Sequence, residues 1–189
     1  MLPIESNYAL AEYRDNEAKF PTPAIPEMGN AITVPASSAN VVLDSEVSTA
    51  FHQLVDAWTT QSNGELRISC VEGSVLEALA SLNIQEARLS LLTSGEALAW
   101  LTWAGASGGA HGRRRGNALG RDAAWWTVAA LTGQTSNWPL NNEELETAVN
   151  SLQWFWWDAN EPTTGWNVRL CVHYADQNRS WAISLNDVA

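Results

Sequence analysis

Lysine is almost absent from this 189-residue chain, since Lys19 is its only example. Arginine therefore supplies nearly all of the positive charge, and its planar guanidinium group binds carboxylate or phosphate groups well. The formal net charge of −11 opposes binding to nucleic acid or anionic lipid over the surface as a whole. We therefore expect no nucleic-acid partner and no membrane partner, and an anion must be bound locally.

The sequence also lacks a long apolar run and has few cysteines. No segment approaches the roughly 18 apolar residues that a membrane span requires, and the first eight residues resemble no secretory leader. We expect a cytoplasmic protein. The two cysteines, Cys70 and Cys171, form no CxxC pair, so we expect both to be buried, reduced thiols.

Several motifs for catalysis and cofactor binding are missing. No G-K-[ST] follows a glycine-rich stretch, and neither HExxH nor a G-x-G-x-x-G after a predicted strand is present, so we expect no cofactor. The histidines at 52, 111 and 173 lack metal-ligand spacing, so we expect no metal site. The stretch Gly105-Ala-Ser107-Gly-Gly109 fits G-x-S-x-G but follows a predicted helix rather than a strand. A hydrolase that uses Ser107 is therefore an unfavoured alternative.

Two parts are predicted along the chain. Residues 1–43 contain scattered prolines and no sustained periodicity, which predicts an extended N-terminal arm. Residues 44–189 form the second part, a single α+β domain. We expect aromatic and apolar residues to anchor the arm to this domain or to a second copy of the chain, which makes a homo-oligomer possible. The expected anchors are Tyr8, Tyr13, Phe20 and Ile25.

The domain has about five helices and about five strands by periodicity. Helical spacing and capping boxes predict helices over 45–60, 74–82, 93–104, 119–131 and 141–152. Alternation of apolar and polar residues predicts strands over 66–71, 87–92, 153–158, 166–174 and 181–185. The last three strands are predicted to form a C-terminal antiparallel meander with one packed face and one more polar face.

A glycine- and arginine-rich segment, residues 108–122, contains four of the ten basic residues and five of the twelve glycines. A continuous helix through it would carry a run of glycines at about 1 kcal/mol each relative to alanine. We therefore predict a break around residues 107–112 and a new helix from about Arg113. Gly116 and Gly120 would then lie on a face that packs closely against another helix.

This geometry predicts an anion site in the same segment. Backbone N–H groups at a helix start, with arginines beside them, attract an anion. The candidate ligand-binding residues are Gly109, His111, Gly112, Arg113, Arg114, Arg115 and Arg121. We therefore predict a non-enzymatic protein that binds an anionic small molecule or an acidic partner here. The alternative is a structural or oligomerisation role, in which the arginines form salt bridges within or between subunits.

Most of the eleven tryptophans fall on the apolar phases of their elements and are predicted to fill the core. Trp103 and one of Trp125 or Trp126 are the candidates for a pocket wall instead. His52 falls on the polar side of its helix and is predicted to be solvated.

Parts of the sequence resemble a group of uncharacterised actinobacterial proteins. The resemblance is carried by Gly109-Ala-His-Gly-Arg-Arg-Arg-Gly116, Gly120-Arg121, Ala124-Trp125-Trp126, Trp166-x-x-Arg169-Leu170 and Ser180-Trp181-Ala182-Ile183. It covers about residues 65–187 and leaves the proline-rich arm outside. The resemblance implies a shared fold and no particular activity.

Overall fold

The α+β fold expected from the sequence is confirmed in the structure, which is a computed structural model. It describes residues 2–5, 12–14, 17–19, 22–36, 39–161 and 165–188. The α-helices in these ranges are α1 (Ser45–Leu54), α2 (Asp56–Gln61), α3 (Val75–Ser81), α4 (Ser94–Ser107), α5 (Asn117–Leu131) and α6 (Asn142–Asn150). None of these helices has the length and apolar character that crossing a bilayer requires.

Eight strands lie in the described ranges. They are β1 (Glu12–Arg14), β2 (Glu17–Lys19), β3 (Ile32–Thr33), β4 (Glu65–Glu72), β5 (Glu86–Leu92), β6 (Leu152–Asp158), β7 (Trp166–Tyr174) and β8 (Arg179–Asp187). β1 and β2 form a separate hairpin, and the other six form one antiparallel sheet in the order β3-β5-β6-β7-β8-β4. The predicted C-terminal meander is therefore confirmed as β6, β7 and β8.

The helix starts follow local chemistry that is visible in the sequence. Ser74, Thr93 and Asn141 each accept a hydrogen bond from the backbone three residues later, and the glutamate there bonds back to the cap. Asp44 caps α1 by accepting from the N–H of Val47 at 3.1 Å. Such caps satisfy N–H groups that have no partner inside the helix, so they fix where each helix begins.

Helices cover both faces of the sheet. The larger core packs apolar residues of α1, α4, α5 and α6 against one face. The other face is more polar, as expected, since Arg169, His173 and Ser184 lie on it, but α3 and Val34 also cover part of it and bury Trp157, Cys171 and Ala182. Alternation along a single strand does not show that a short helix from elsewhere in the chain covers its second face.

Most of the expected anchors of the arm, namely Tyr8, Phe20 and the side chain of Tyr13, lie outside the described residues. Ile25 is 49% exposed and lines a small cavity together with Trp103 and Trp166 of the domain. Two residues that were not expected also anchor the arm: Leu2, which is buried in the larger core, and Glu5, whose side chain is fully buried. Within the predicted arm, β3 also joins the edge of the six-stranded sheet.

The break in the glycine-rich segment is confirmed, but the next helix begins later than expected. α4 ends at Ser107 and α5 starts at Asn117 rather than near Arg113. The N–H groups of Arg115 and Gly116 both donate to the carbonyl of Ala106, at 2.8 and 3.3 Å. These bonds return the chain to α4 before the new helix can start, so the three consecutive arginines lie in a loop.

α4 and α5 pack closely where glycine meets small residues. A Cβ atom on Gly120 would lie 2.7 Å from Cβ of Ala106, well inside van der Waals contact. Gly116 has open space around its Cα and therefore does not share this packing role. The close-packing prediction thus holds for Gly120 alone, and the approach of the two helices fixes the position of α5 beside α1.

Candidate functional site

The loop 108–116 uses its backbone N–H groups on the protein itself. Ala110 donates to Oδ2 of Asp187 at 2.7 Å, and His111 donates to Oγ of Ser62 at 3.1 Å. Ser62 in turn donates to Oδ1 of Asp187 at 3.0 Å, so the buried Asp187 carboxylate lies at the centre of this network. Arg113 donates its N–H to Oε1 of Gln61 at 3.0 Å. Much of the expected anion cradle therefore already holds the carboxylate at the end of β8.

The two predicted glycines of the cradle leave no room for a side chain. Gly109 has a φ of +70°, and a Cβ atom there would meet the Asp187 carboxylate and lie 3.1 Å from the ring of Trp58. Gly112 is buried, and a Cβ atom would overlap the backbone of Gly108 and Ala57. Both positions therefore serve the close approach of the loop to α2 and β8.

Arg114 binds the end of α4. Its Nη1 donates to the carbonyl oxygens of Ser107 and Gly109, and its guanidinium carbon lies 4.7 Å from the centroid of the Trp166 ring. A cation is favoured at a helix C-terminus and over a tryptophan face. The arrangement joins the loop to α4 and β7.

Arg121 binds a carboxylate that comes from the N-terminal segment. Its Nε and Nη2 donate to Oε1 and Oε2 of Glu5 at 2.5 and 2.9 Å, and Trp125 Nε1 donates to Oε1 at 3.0 Å. The N–H of Leu2 also donates to Oε2 at 2.5 Å. Burial alone would raise the pKa of Glu5, but the hydrogen bonds from Arg121, Leu2 and Trp125 together hold it below its usual value.

His111 and Arg113 lie at the surface. Both residues are exposed, and the guanidinium group of Arg113 makes no hydrogen bond or ion pair within the described part of the chain. Solvent and salt screen an exposed charge of this kind. Arg113 therefore offers a reference position for experiments on the other arginines.

Ser107 is placed where it cannot act as an activated nucleophile. It is the last residue of α4, it is fully buried, and its Oγ has no hydrogen-bond partner among the described residues. A nucleophilic serine needs a base within hydrogen-bond reach. The strand-to-helix turn expected of a G-x-S-x-G nucleophile is also missing, because α4 precedes the serine.

A cleft lies between α1 and α5 and is bounded at one end by the start of α2. We call it the α1–α5 cleft; its volume is about 640 Å³, within the range of small-molecule sites. Its chemically informative lining residues are His52, Asp56, Arg115, Asp122, Trp126 and Trp138. Of the seven predicted site residues, Arg115 lines this cleft.

The Arg115 side chain is held in place by one of its three nitrogens only. Nη1 donates to the carbonyl oxygens of Gln53 and Leu54, at 3.0 and 3.3 Å, at the C-terminal end of α1. The N–H groups of Nε and Nη2 make no hydrogen bond within the described residues. A guanidinium group has five N–H donors, so three remain for a ligand on a side chain that is already positioned.

The cleft has an aromatic wall and a polar rim. Trp126 and Trp138 meet edge to face, with ring centroids 5.5 Å apart and an interplanar angle of 87°. One of Trp125 or Trp126 was predicted to form a pocket wall, and Trp126 does so in this cleft. Trp125 is instead buried and donates a hydrogen bond to Glu5. The side chains of Asp56 and Asp122 are exposed and have no partner within the described ranges.

Sequence reasoning identified Arg115 and overlooked the groups opposite it. His52 is exposed, as expected, but it borders the cleft together with Asp56, which lies four residues further along the chain at the start of α2. Asp122 and Trp126 are one turn apart on α5. These spacings are visible in the sequence, but the packing of α1 beside α5 is not. No group of three His, Cys, Asp or Glu in the described chain is arranged to hold a metal ion.

The comparisons with known proteins give a family without an assigned activity. A family model covers residues 1–183 of the chain. The chain belongs to this family of unknown function, DUF6183. The DUF6183 match includes the N-terminal arm, which the resemblance found in the sequence left outside. No curated protein and no solved structure matches the chain.

Proposed function

We propose that the chain is a non-enzymatic binding protein that takes a small molecule with an anionic group into the α1–α5 cleft, with Arg115 as the anchor. The observation that supports this proposal most is the hydrogen bonding of the Arg115 side chain. Two backbone carbonyls hold one nitrogen, and the N–H groups of the other two have no partner in the described chain. Such a preorganised guanidinium group can bind a carboxylate or phosphate without first losing much conformational freedom.

Two of the other predicted arginines, Arg114 and Arg121, support this choice by their contacts. Arg121 already binds the Glu5 carboxylate, and Arg114 binds carbonyl oxygens at the end of α4. The loop N–H groups bind Asp187 and its neighbours. A ligand at any of these positions would have to displace a group of the protein, whereas a ligand at Arg115 would not.

The expected contribution of the anchor can be stated in order of magnitude. A hydrogen bond to a charged partner contributes about 1.5–3 kcal/mol. Loss of the anchor should therefore weaken binding by about 10- to 100-fold, since each 1.4 kcal/mol changes affinity tenfold. An effect of this size is measurable even for a ligand of modest affinity.

A thermal-shift screen with matched variants tests the proposal. The full chain is screened against nucleotides, phosphosugars and carboxylic acids, in parallel with Arg115→Gln and Arg113→Gln. We expect a ligand that raises the melting temperature of the wild type and of Arg113→Gln, relative to each protein's own baseline, and not that of Arg115→Gln. The proposal fails if no compound shifts the wild type, or if the shift persists in Arg115→Gln.

A second candidate function is assembly into a homo-oligomer. Val41 and Leu43, at the end of the arm, are 61% and 93% exposed. Exposed apolar side chains next to one another favour contact with another surface. Sedimentation of the wild type and of Leu43→Ser tests this: we expect a concentration-dependent increase in mass that the variant loses, and a 20.6-kDa monomer at every concentration contradicts it.

The cytoplasm is our proposed location for this function. Cys70 and Cys171 are both free and buried. Burial raises the pKa of the Cys70 thiol to about 12, which keeps it protonated and unreactive. Thiols that form no disulfide fit a reducing compartment. Fractionation of the native host cells would contradict the proposal if the protein were found outside the cytoplasm.

A further inference from the structure

With histidine counted as neutral, the side chains that line the α1–α5 cleft carry more negative than positive charge. Asp56 and Asp122 line it together with Arg115, so two carboxylates accompany one guanidinium group. Arg115 also lies against the C-terminal carbonyls of α1, which carry partial negative charge. A ligand with only an anionic group would be attracted by Arg115 and repelled by both aspartates.

A cationic group on the same ligand would remove this repulsion. Asp56 and Asp122 have no partner in the described chain, so they can accept hydrogen bonds from an ammonium group. The perpendicular rings of Trp126 and Trp138 offer a corner that can hold an aromatic or apolar body. An ammonium group next to a tryptophan face is favoured further by the ring's quadrupole.

We propose that the ligand is an amino-acid-like zwitterion with an aromatic or apolar body. Its carboxylate binds Arg115, its ammonium group binds Asp122 or Asp56, and its body packs on Trp126 and Trp138. This inference rests on the proposed function and narrows it to one class of ligand. A cleft of about 640 Å³ is large enough for an aromatic amino acid or a dipeptide.

Matched probes separate the two charges of the ligand. Phenylalanine and phenylalanylglycine are titrated into the full chain by calorimetry, each beside its N-acetyl form, which keeps only the anionic group, and its C-terminal amide, which keeps only the cationic group. We expect at least one zwitterion to bind at least tenfold more tightly than both of its blocked forms.

The variants show whether the acidic side chains cause this preference. At least one of Asp122→Asn and Asp56→Asn should weaken binding of the zwitterion by about tenfold and leave the N-acetyl form unchanged or tighter, and the zwitterion inference is wrong if neither variant does so. Asp176→Asn is the matched control, because Asp176 is exposed and does not line the cleft, and it should change neither.

Each contrary outcome identifies which idea has failed. If the N-acetyl form binds as tightly as the zwitterion, the zwitterion inference is wrong and the anionic anchor at Arg115 stands. If the amide binds as tightly as the zwitterion, or if Arg115→Gln leaves binding unchanged, the anchor itself is wrong. If none of the six probes binds, the zwitterion inference is overturned, and the broader anion screen then decides the proposed function.

Discussion

Glu5→Gln removes the negative charge that joins the N-terminal segment to α5. The Glu5 carboxylate is fully buried and accepts hydrogen bonds from Arg121, Trp125 and the N–H of Leu2. Glutamine keeps the size of the side chain, but one of its two terminal groups is a donor. That –NH₂ group would face N–H donors where an oxygen now accepts, and Arg121 would lose its ion pair.

The magnitude follows from the burial of the two partners. Hydrogen bonds to a charged group contribute about 1.5–3 kcal/mol each, and loss of a partner leaves buried donors unsatisfied. The Arg121 side chain is 38% exposed, so water compensates part of the loss on its side. We expect the free energy of unfolding to fall by about 2–3 kcal/mol. For a chain of this length that corresponds to a decrease in melting temperature of about 4–12 °C.

Urea denaturation followed by tryptophan fluorescence measures the change. Glu27→Gln is the matched control, since Glu27 also lies in the arm but is exposed. We expect a lower midpoint for Glu5→Gln with an unchanged slope, and a wild-type midpoint for Glu27→Gln. Equal midpoints for all three proteins would refute the conclusion that Glu5 anchors the arm.

Three further predictions follow from the same packing and hydrogen bonds. Because the pKa of Glu5 is lowered in the folded state, its contribution to stability is present above its usual pKa of 4.5 and is lost as pH falls through the folded value. The difference in unfolding free energy between wild type and Glu5→Gln, measured in urea from pH 7 to 3, should therefore shrink on acidification. A constant difference would contradict this. Gly120→Ala should lower the free energy of unfolding, measured with urea, by about 1–3 kcal/mol through overpacking against Ala106, although alanine favours helices. A variant as stable as the wild type would show that α4 and α5 separate freely. Burial raises the pKa of the Cys70 thiol to about 12 and also raises the pKa of the Cys171 thiol. A thiol reagent at pH 8 should therefore label neither cysteine in the folded protein and both cysteines in guanidinium chloride. Labelling of the folded protein would contradict their burial.

The parts of the fold that depend on residues close to one another in the sequence were predictable. The capping box of Ser74 and Glu77 starts α3 where the sequence indicated, and the cost of consecutive glycines correctly predicted a break after Ser107. The start of α5 was not predictable, since it depends on a carbonyl of α4 that accepts from the returning loop. Helix starts are readable when the cap is local and unreadable when tertiary hydrogen bonds decide them.

The candidate site was predictable only in part, for the same reason. A local excess of arginine indicated that anions would be bound in residues 108–122. The sequence did not show which anions, because Asp187 is 77 residues from Ala110 and Glu5 is 116 residues from Arg121. Nor did it show that His52 and Asp122 border the same cleft, because that depends on how α1 and α5 pack.

A nuclear magnetic resonance titration tests the central claim most directly, namely that the α1–α5 cleft is the ligand site. The indole N–H signals of Trp126 and Trp138, assigned with Trp→Phe variants, are followed while phenylalanylglycine or a compound from the screen is added to the full chain. We predict saturable shifts of these two signals and little change for the buried Trp58 and Trp181. A ligand that binds while the signals of Trp126 and Trp138 stay unmoved would contradict the account.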